Sequence, residues 1–444
     1  MSRSQDLFAF LTGKRILVWG LGREGRSTLD LLRRFLPGQP LVVADRSPAA
    51  LEAADLAALP AERVSEEEAL RRLPEFDLVL KAPGIPTRHL ALDGQAVKIT
   101  GQADLFLRFA PCPVVGVTGT KGKSTTASLL AHICRCAGRK TFLVGNIGIP
   151  PFSVLGDLEP ESVVICELSS YQLEFARSSP PIALWTNLYP EHLNFHGSFA
   201  AYARAKSGVA RWQSAEDLLI FSGDDRAVAD LLEEDGGLGR RIPYHGPADL
   251  PAIDFSRFRP LGWHNRKNAV AALLAAKGLG IPFSAMQEAI DTFSPLPHRL
   301  EPAGVVRGIS FYNDSISTVP ESALVALSAL PDARTLIVGG QDRGVPLEGF
   351  ARSLARSPSL RTIILLPETG VRLGALLRSA DPPFGGTLLF VETLEAAVRA
   401  ALAETPEGSC CLFSPAAPSY NAFRNFEERG THFRELIRRA EAKP

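Results

Sequence analysis

Short apolar runs alternate with helix-like stretches along nearly the whole chain, and that alternation permits few folds. Consecutive strands separated by helices pair in parallel, so the pattern predicts α/β architecture with largely parallel, helix-covered sheets. The first unit reads as a strand at 15–19, a tight turn at 20–25 and a helix at 26–35. A strand at 41–44 then ends at Asp45, and another at 78–80 runs into Lys81-Ala-Pro-Gly84. A second unit opens with a strand at 113–117 and a helix at 124–137 that Gly138 stops, followed by buried strands at 163–166 and 183–186. Residues 235–258 read as loops and short strands, 265–278 as a helix, and 294–297 as a linker. A third unit carries strands at 308–312, 335–338, 362–366 and 410–413.

At 444 residues and 45% hydrophobic content the chain exceeds a single core. Lys plus Arg balances Asp plus Glu at 48 each, so no overall field favours nucleic acid or a membrane as partner. Neither a signal peptide nor a run of ~20 apolar residues is found, which predicts a cytoplasmic protein. The six cysteines form no C-x-x-C pair and are expected as reduced thiols.

The segment Gly116-Val-Thr-Gly119-Thr120-Lys121-Gly122-Lys123-Ser124-Thr125 lies between a strand and a helix. Phosphate oxygens need converging backbone N–H donors, glycines allow close approach, and the helix adds its positive end. Lys123 is expected on the β- and γ-phosphates and Ser124 on magnesium, as in a P-loop. The spacing has five residues rather than four between Gly116 and Gly122. A glycine turn made only for packing is the bland alternative, and G-K-S-T at this junction argues against it.

Gly20-Leu-Gly22-Arg23-Glu24-Gly25 matches G-x-G-x-x-G after a strand, with Asp45 about twenty residues on. Alone it fits NAD, a uridine diphosphate group or a plain turn, and no hydride-transfer constellation follows it. Glu167-Leu-Ser-Ser-Tyr-Gln172-Leu-Glu174 begins where a strand end offers a magnesium ligand. Asn187-Leu-Tyr-Pro-Glu191-His192-Leu-Asn194 follows the next strand in the same way. Lys206, in Tyr202-Ala-Arg-Ala-Lys206, reads in isolation as a solvated helix lysine. Arg343 in Gly339-Gly-Gln-Asp-Arg-Gly344 is either a bidentate carboxylate partner or a surface arginine.

Taken together and in order, GVTGTKGKST, GNIG (145–148), ELSSYQLE, NLYPEHLN, YARAK, HNRKN (264–268), LPHRLE, NDSIST and SPAAPSYNAFRNFEERG resemble the Mur ligase family, and most of all its glutamate-adding branch. The resemblance spans nearly the whole chain; folylpolyglutamate synthases share only the P-loop logic. It implies a Rossmann-like domain at 1–100, a central P-loop ATPase domain at 101–297 and a Rossmann-like domain at 298–444. It further implies ATP and Mg²⁺ as cofactors, a monomer, and UDP-N-acetylmuramoyl-L-alanine and glutamate as substrates.

By resemblance, Gly119, Thr120, Lys121, Gly122, Lys123, Ser124 and Thr125 cradle ATP phosphates, with Asn265 and Asn268 at the adenine and Arg299 and Asp314 near the nucleotide. Ser124, Glu167, His192 and a carbamylated Lys206 would hold magnesium, and Lys123, Glu167, His192 and Lys206 are the expected catalytic set. Gly22, Arg23, Glu24, Asp45, Arg46, Gly84, Asn146 and His192 fall on the UDP-sugar side. Thr318, Arg343, Ser419 and Phe426 fall in the glutamate pocket. Two departures concern the acceptor: Ile316 stands where D-glutamate users commonly carry lysine, and Arg343 where lysine is usual. D-glutamate is the expectation drawn from the larger group, with the L-glutamate-adding branch as the alternative.

Overall fold

The computed structural model of the chain describes residues 3–56, 60–88, 90, 92 and 98–442. The first sheet is built from β1 (Ile16–Trp19), β2 (Leu41–Asp45), β3 (Glu62–Ser65), β4 (Leu78–Lys81) and β5 (Ile99–Thr100) in the order β3-β2-β1-β4-β5, all parallel. β1 and β4 are buried along their whole length, as central strands covered on both faces must be.

The second sheet comprises β6 (Val114–Thr118), β7 (Thr141–Gly145), β8 (Val163–Glu167), β9 (Ile182–Trp185), β10 (Leu218–Ser222) and β11 (Arg240–Tyr244). Its order is β11-β10-β9-β6-β8-β7, again parallel throughout. The chain reverses its direction of travel across the sheet on either side of β6, and ligands of open α/β sheets bind in the crevice such a reversal leaves.

The two sheets share one apolar core that runs from Leu29 and Leu32 through Phe106, Phe152 and Leu155 to Val164 and Leu219. Complete burial of a side chain such as Phe106 contributes about 2 kcal/mol. Accordingly Met1–Phe258 and Arg266–Phe293 form one compact unit, and Arg259–Asn265 with Ser294–Pro444 form a second.

In the second unit, β12 (Glu301–Val306), β13 (Ile309–Asn313), β14 (Ala333–Gly339), β15 (Thr362–Leu366), β16 (Thr387–Phe390) and β17 (Cys410–Phe413) run in the order β12-β13-β17-β14-β15-β16. Only the β12–β13 pair is antiparallel among the described strands. Apolar clusters cover both faces, one around Leu336, Ile363 and Leu373, the other around Ile337, Phe413 and Phe433.

The chain is thus a mixed α/β protein with mostly parallel sheets, as its alternating pattern predicts. Helix starts depart from expectation. The helix expected at 26–35 spans Arg23–Phe35, because extended Gly22 sits at its cap and places Arg23, Glu24 and Gly25 in the first turn. The helix expected at 265–278 begins at Trp263, so Asn265 lies inside it. Among the described residues no helix is long and apolar enough to cross a membrane, and all six cysteines are unbridged.

Candidate active site

The phosphate loop follows β6 and leads directly into the helix Lys123–Cys136. Gly119 (φ 142°) and Gly122 (φ 87°) hold backbone conformations that L side chains rarely adopt. A Cβ at Gly119 would overlap Thr186 Oγ1, and one at Gly122 would come within 2.5 Å of Asn268 Oδ1. The end of β9 clamps the loop from outside. Thr186 Oγ1 donates to the Lys121 carbonyl (2.6 Å), as does Asn187 Nδ2 (3.0 Å), while Asn187 Oδ1 accepts from Lys121 N–H (2.8 Å). Thr120 N–H donates to the Asn187 carbonyl at 2.9 Å, and the hydroxyls of Thr120 and Tyr202 are hydrogen-bonded at 2.9 Å.

Two lysines meet on this loop. Lys123 Nζ donates to the Gly119 and Thr120 carbonyls (2.8 and 2.9 Å), and Lys206 Nζ donates to the same Gly119 oxygen at 2.7 Å. Lys206 is not the solvated helix residue that its sequence context suggests. It is 1% exposed, because its helix Phe199–Ser207 presents it to Thr118 at the end of β6 and to the phosphate loop. Burial first, and then the neighbouring Lys123, hold its amine well below the ordinary lysine range.

Glu167 ends β8, fully buried. Its Oε1 accepts from Asn146 Nδ2 at 2.7 Å, and its Oε2 has no hydrogen-bond partner. A buried carboxylate oxygen left without a donor fits a cation ligand, since a desolvated anion needs compensation. His192 adopts φ 56° at the start of the short helix Leu193–His196, its ring 5.0 Å from Tyr171 and 6.1 Å from Tyr202. Burial lowers its pKa, and the charges of Lys123, Lys206 and Lys121 push the same way against Glu191. A neutral imidazole results, free to act as acceptor or ligand. Lys121 itself pairs with Glu191 at 2.6 Å.

Magnesium normally takes one or two carboxylates and completes its shell with water and phosphate. Glu167 fits that pattern, and no group of three His, Cys, Asp or Glu forms a protein-only cage among the described residues.

In the first sheet, Gly20 (φ 96°) makes the turn, and a Cβ on Gly25 would overlap the Gly20 carbonyl, so helix and strand are in direct contact there. Asp45 accepts from Leu21 N–H (2.7 Å) and Ser47 N–H (2.8 Å), which shapes the turn from within. Exposed Arg46 pairs with Glu66 at 2.7 Å. Arg23 donates to the Gly148 carbonyl at 2.5 Å and Glu24 accepts from Gln172 Nε2 at 2.6 Å, so both side chains are directed to the central sheet. Gly84 closes the bend after β4, where Lys81 is buried against Glu174 (3.3 Å).

In the second unit four runs converge. Gly339 and Gln341 N–H groups donate to the Pro415 and Pro418 carbonyls (both 2.9 Å), stitching the turn of Arg343 to that of buried Ser419. Asp342 accepts from Gly344 N–H (2.8 Å) and pairs with Arg372 (3.1 Å), leaving exposed Arg343 over the Tyr420 ring at 5.7 Å. Ser315 Oγ donates to the Phe426 carbonyl (2.9 Å), and buried Arg429 reaches both Ser315 and Ala417. Thr318 and Ile316 are half-buried on the same run. Asp314 accepts from Ser414 Oγ (2.8 Å) and Leu300 N–H (3.2 Å), and burial pushes its carboxyl up to about 7.

Residues 117–240 match the Mur ligase middle domain. The chain is 35% identical to the UDP-N-acetylmuramoylalanine–D-glutamate ligase of Symbiobacterium thermophilum, covering 96% of this chain and 98% of that one. It is 39% identical to the UDP-N-acetylmuramoyl-L-alanine–L-glutamate ligase of Xanthomonas euvesicatoria pv. vesicatoria, covering 96% and 95%. The chain belongs to the Mur ligase family. Its fold is shared with the MurF ligase of Thermotoga maritima in complex with ADP, at TM-score 0.59, 15% identity and coverage of 96% and 95%.

For a Mur ligase read from sequence, the first unit brings together most of the expected residues: the loop 119–125, Glu167, Asn146, His192, Lys206 and Asn268. Asn265 falls in the second unit, with its Nδ2 donating to the Leu261 carbonyl at 2.7 Å. Arg299, Asp314 and the four glutamate-pocket residues also belong to that unit. Thr186 ends a strand expected from sequence, and Asn187 and Tyr202 fall in runs read without a role for either, yet all three hold the phosphate loop. For Thr186 and Asn187 the position just past a strand end is the available signal; Tyr202, inside the helix Phe199–Ser207, has none. Lys81 and Glu174 gave none, because nothing in a sequence marks two distant charges as one buried pair.

Proposed function

We propose that this Mur ligase is a cytoplasmic, ADP-forming enzyme that joins glutamate to UDP-N-acetylmuramoyl-L-alanine through an acyl phosphate. The observation that carries this reading is the convergence of Lys123 and Lys206 on the Gly119 carbonyl, beside the partnerless Glu167 oxygen. Such a site sets the Lys123 ammonium, and a cation that Glu167 would hold, where phosphoryl oxygens accumulate negative charge, and that electrostatic support is most of what phosphoryl transfer needs.

The alanyl carboxylate is a poor electrophile. One of its oxygens attacks the γ-phosphorus, the bond to the β–γ bridging oxygen breaks, and ADP leaves. Lys123 and the loop N–H groups hold the phosphates in line. The glutamate amine then attacks the acyl carbon, loses a proton, and inorganic phosphate departs with the former carboxylate oxygen. Arg343 receives a glutamate carboxylate, with Thr318, Ser419 and Phe426 shaping its pocket. Asn265 and Asn268 contact adenine, and Arg299 and Asp314 lie near the nucleotide. The first turn of the helix Arg23–Phe35, with Asp45, Arg46, Gly84 and Asn146, takes the UDP-sugar.

Mg²⁺, held by Glu167, Ser124 and His192, would offset charge on the transferring group. The neutral amine of Lys206 would add carbon dioxide and lose a proton, and the resulting carbamate would offer an oxygen as a further ligand. The three-domain partition at 100 and 297 assigns UDP-sugar, ATP and glutamate to successive stretches of a monomeric chain.

On the acceptor's handedness a specific residue favours L-glutamate over the D-enantiomer expected from the larger group. Ile316 removes a cation from the NDSIST run, at the position where D-glutamate users commonly carry lysine. The test is ADP release with UDP-N-acetylmuramoyl-L-alanine plus either glutamate enantiomer, with a dihydrofolate arm. Release that requires the nucleotide-sugar and one enantiomer supports the proposal; preference for the folate rejects it.

A further inference from the structure

Arg23 and Glu24 occupy the first turn of the helix Arg23–Phe35, which the glycine pattern assigns to a nucleotide, but both side chains reach the central sheet. Each ends on a segment that holds Glu167. The Gly148 carbonyl that Arg23 engages belongs to the loop whose Asn146 binds Glu167 twice, by Nδ2 to Oε1 (2.7 Å) and by N–H to the Glu167 carbonyl (2.9 Å). The Gln172 amide that Glu24 engages binds the other side. Its Oε1 accepts from Ser169 N–H (2.9 Å) and Ser169 Oγ (3.1 Å), two residues beyond Glu167.

An acid suits the positive end of a helix but opposes a bound diphosphate. Glu24 resolves that conflict by committing its carboxylate to Gln172, at the cost of burial that raises its pKa. Gln102, reaching the same helix, adds bonds to the Glu24 carbonyl (3.1 Å) and Thr28 Oγ1 (2.9 Å). Two short arms therefore run from one helical turn to both flanks of a single carboxylate.

We infer that Arg23 and Glu24 are positioning residues that couple occupancy of the first nucleotide turn to the placement of Glu167, and so to the readiness of the phosphate loop. The inference rests on the ligase reading for the identity of the nucleotide-sugar, but the coupling is measurable without turnover. Coupling between two ligands is reciprocal and typically about 5- to 150-fold in affinity.

The experiment is calorimetry on the full chain with UDP and magnesium-ADP as probes. In the wild type, saturating UDP should tighten magnesium-ADP about fivefold or more. Gln172→Ala, which lies outside the nucleotide turn, should lose that factor while UDP alone binds within about threefold of wild type, and Arg23→Ala and Glu24→Ala should lose it whatever they do to UDP itself. Glu24→Gln, which keeps an acceptor for Gln172, should retain it. Arg23 is exposed, so its variant tests the idea even if a buried substitution unfolds the chain. An equal factor in the wild type and Glu24→Ala, no factor in the wild type, or a loss confined to UDP affinity would overturn the coupling. A wild type that couples the probes but consumes no ATP with UDP-N-acetylmuramoyl-L-alanine and glutamate would instead remove the ligase reading alone.

Discussion

Lys206 donates to a carbonyl oxygen that Lys123 already occupies, in a place water does not reach. Burial disfavours a charged amine, and the neighbouring ammonium of Lys123 adds to that penalty, so the neutral amine is favoured. Lys206→Ala should lower turnover by about 10²-fold or more, the scale of removing one electrostatic stabiliser from a transition state. Added acetate or formate should restore part of it by supplying the missing oxygen. Turnover at wild-type level without additive would contradict a ligand role. Asp314 offers a separate test in pH. Its folded value of about 7 exceeds the ordinary 3.8, so the folded chain binds more protons than the unfolded chain between those limits. Stability should fall as pH rises from about 4 to about 7, the loss being complete above that. Asp314→Asn should flatten the fall, as read by Tm against pH, and an unchanged slope would disprove the assignment.

At the scale of elements, the phosphate loop works because β6 and β9 end side by side and the β9 extension grips the loop backbone. Gly119→Ala would place a methyl on Thr186 Oγ1 in a conformation alanine resists. It should destabilise the first unit by more than about 1 kcal/mol and abolish ADP binding. An alanine variant with unchanged Tm and ADP affinity would show the glycine to be dispensable. The loop, β6, β8 and the strand ends were legible in sequence because a fully buried parallel strand is a continuous apolar run, and G-K-S-T marks its exit. β3 and β16 were not, since Glu62–Ser65 and Thr387–Phe390 carry exposed residues that hide any such run. Antiparallel β12 was missed because Pro302 and Gly304 break its pattern, with a bulge between them. Lys206 misled for a related reason: its burial is set by β6 and the phosphate loop, to which Phe199–Ser207 has no sequence proximity.

For the whole molecule, motif order along the chain carried the family, while the proposed preference for L-glutamate is drawn from one side chain. Ile316→Lys should raise turnover with D-glutamate relative to L-glutamate by about tenfold, the scale of one charge-assisted contact of ~1.4 kcal/mol. An unchanged ratio would move the determinant away from residue 316. The central claim is that the nucleotide-sugar's carboxylate is phosphorylated before the amine attacks. It is tested most directly with UDP-N-acetylmuramoyl-L-alanine bearing ¹⁸O at both oxygens of its alanyl carboxylate, mass analysis following the phosphate released with glutamate and ATP. The account predicts that one labelled oxygen appears in each phosphate formed; phosphate free of label would contradict it.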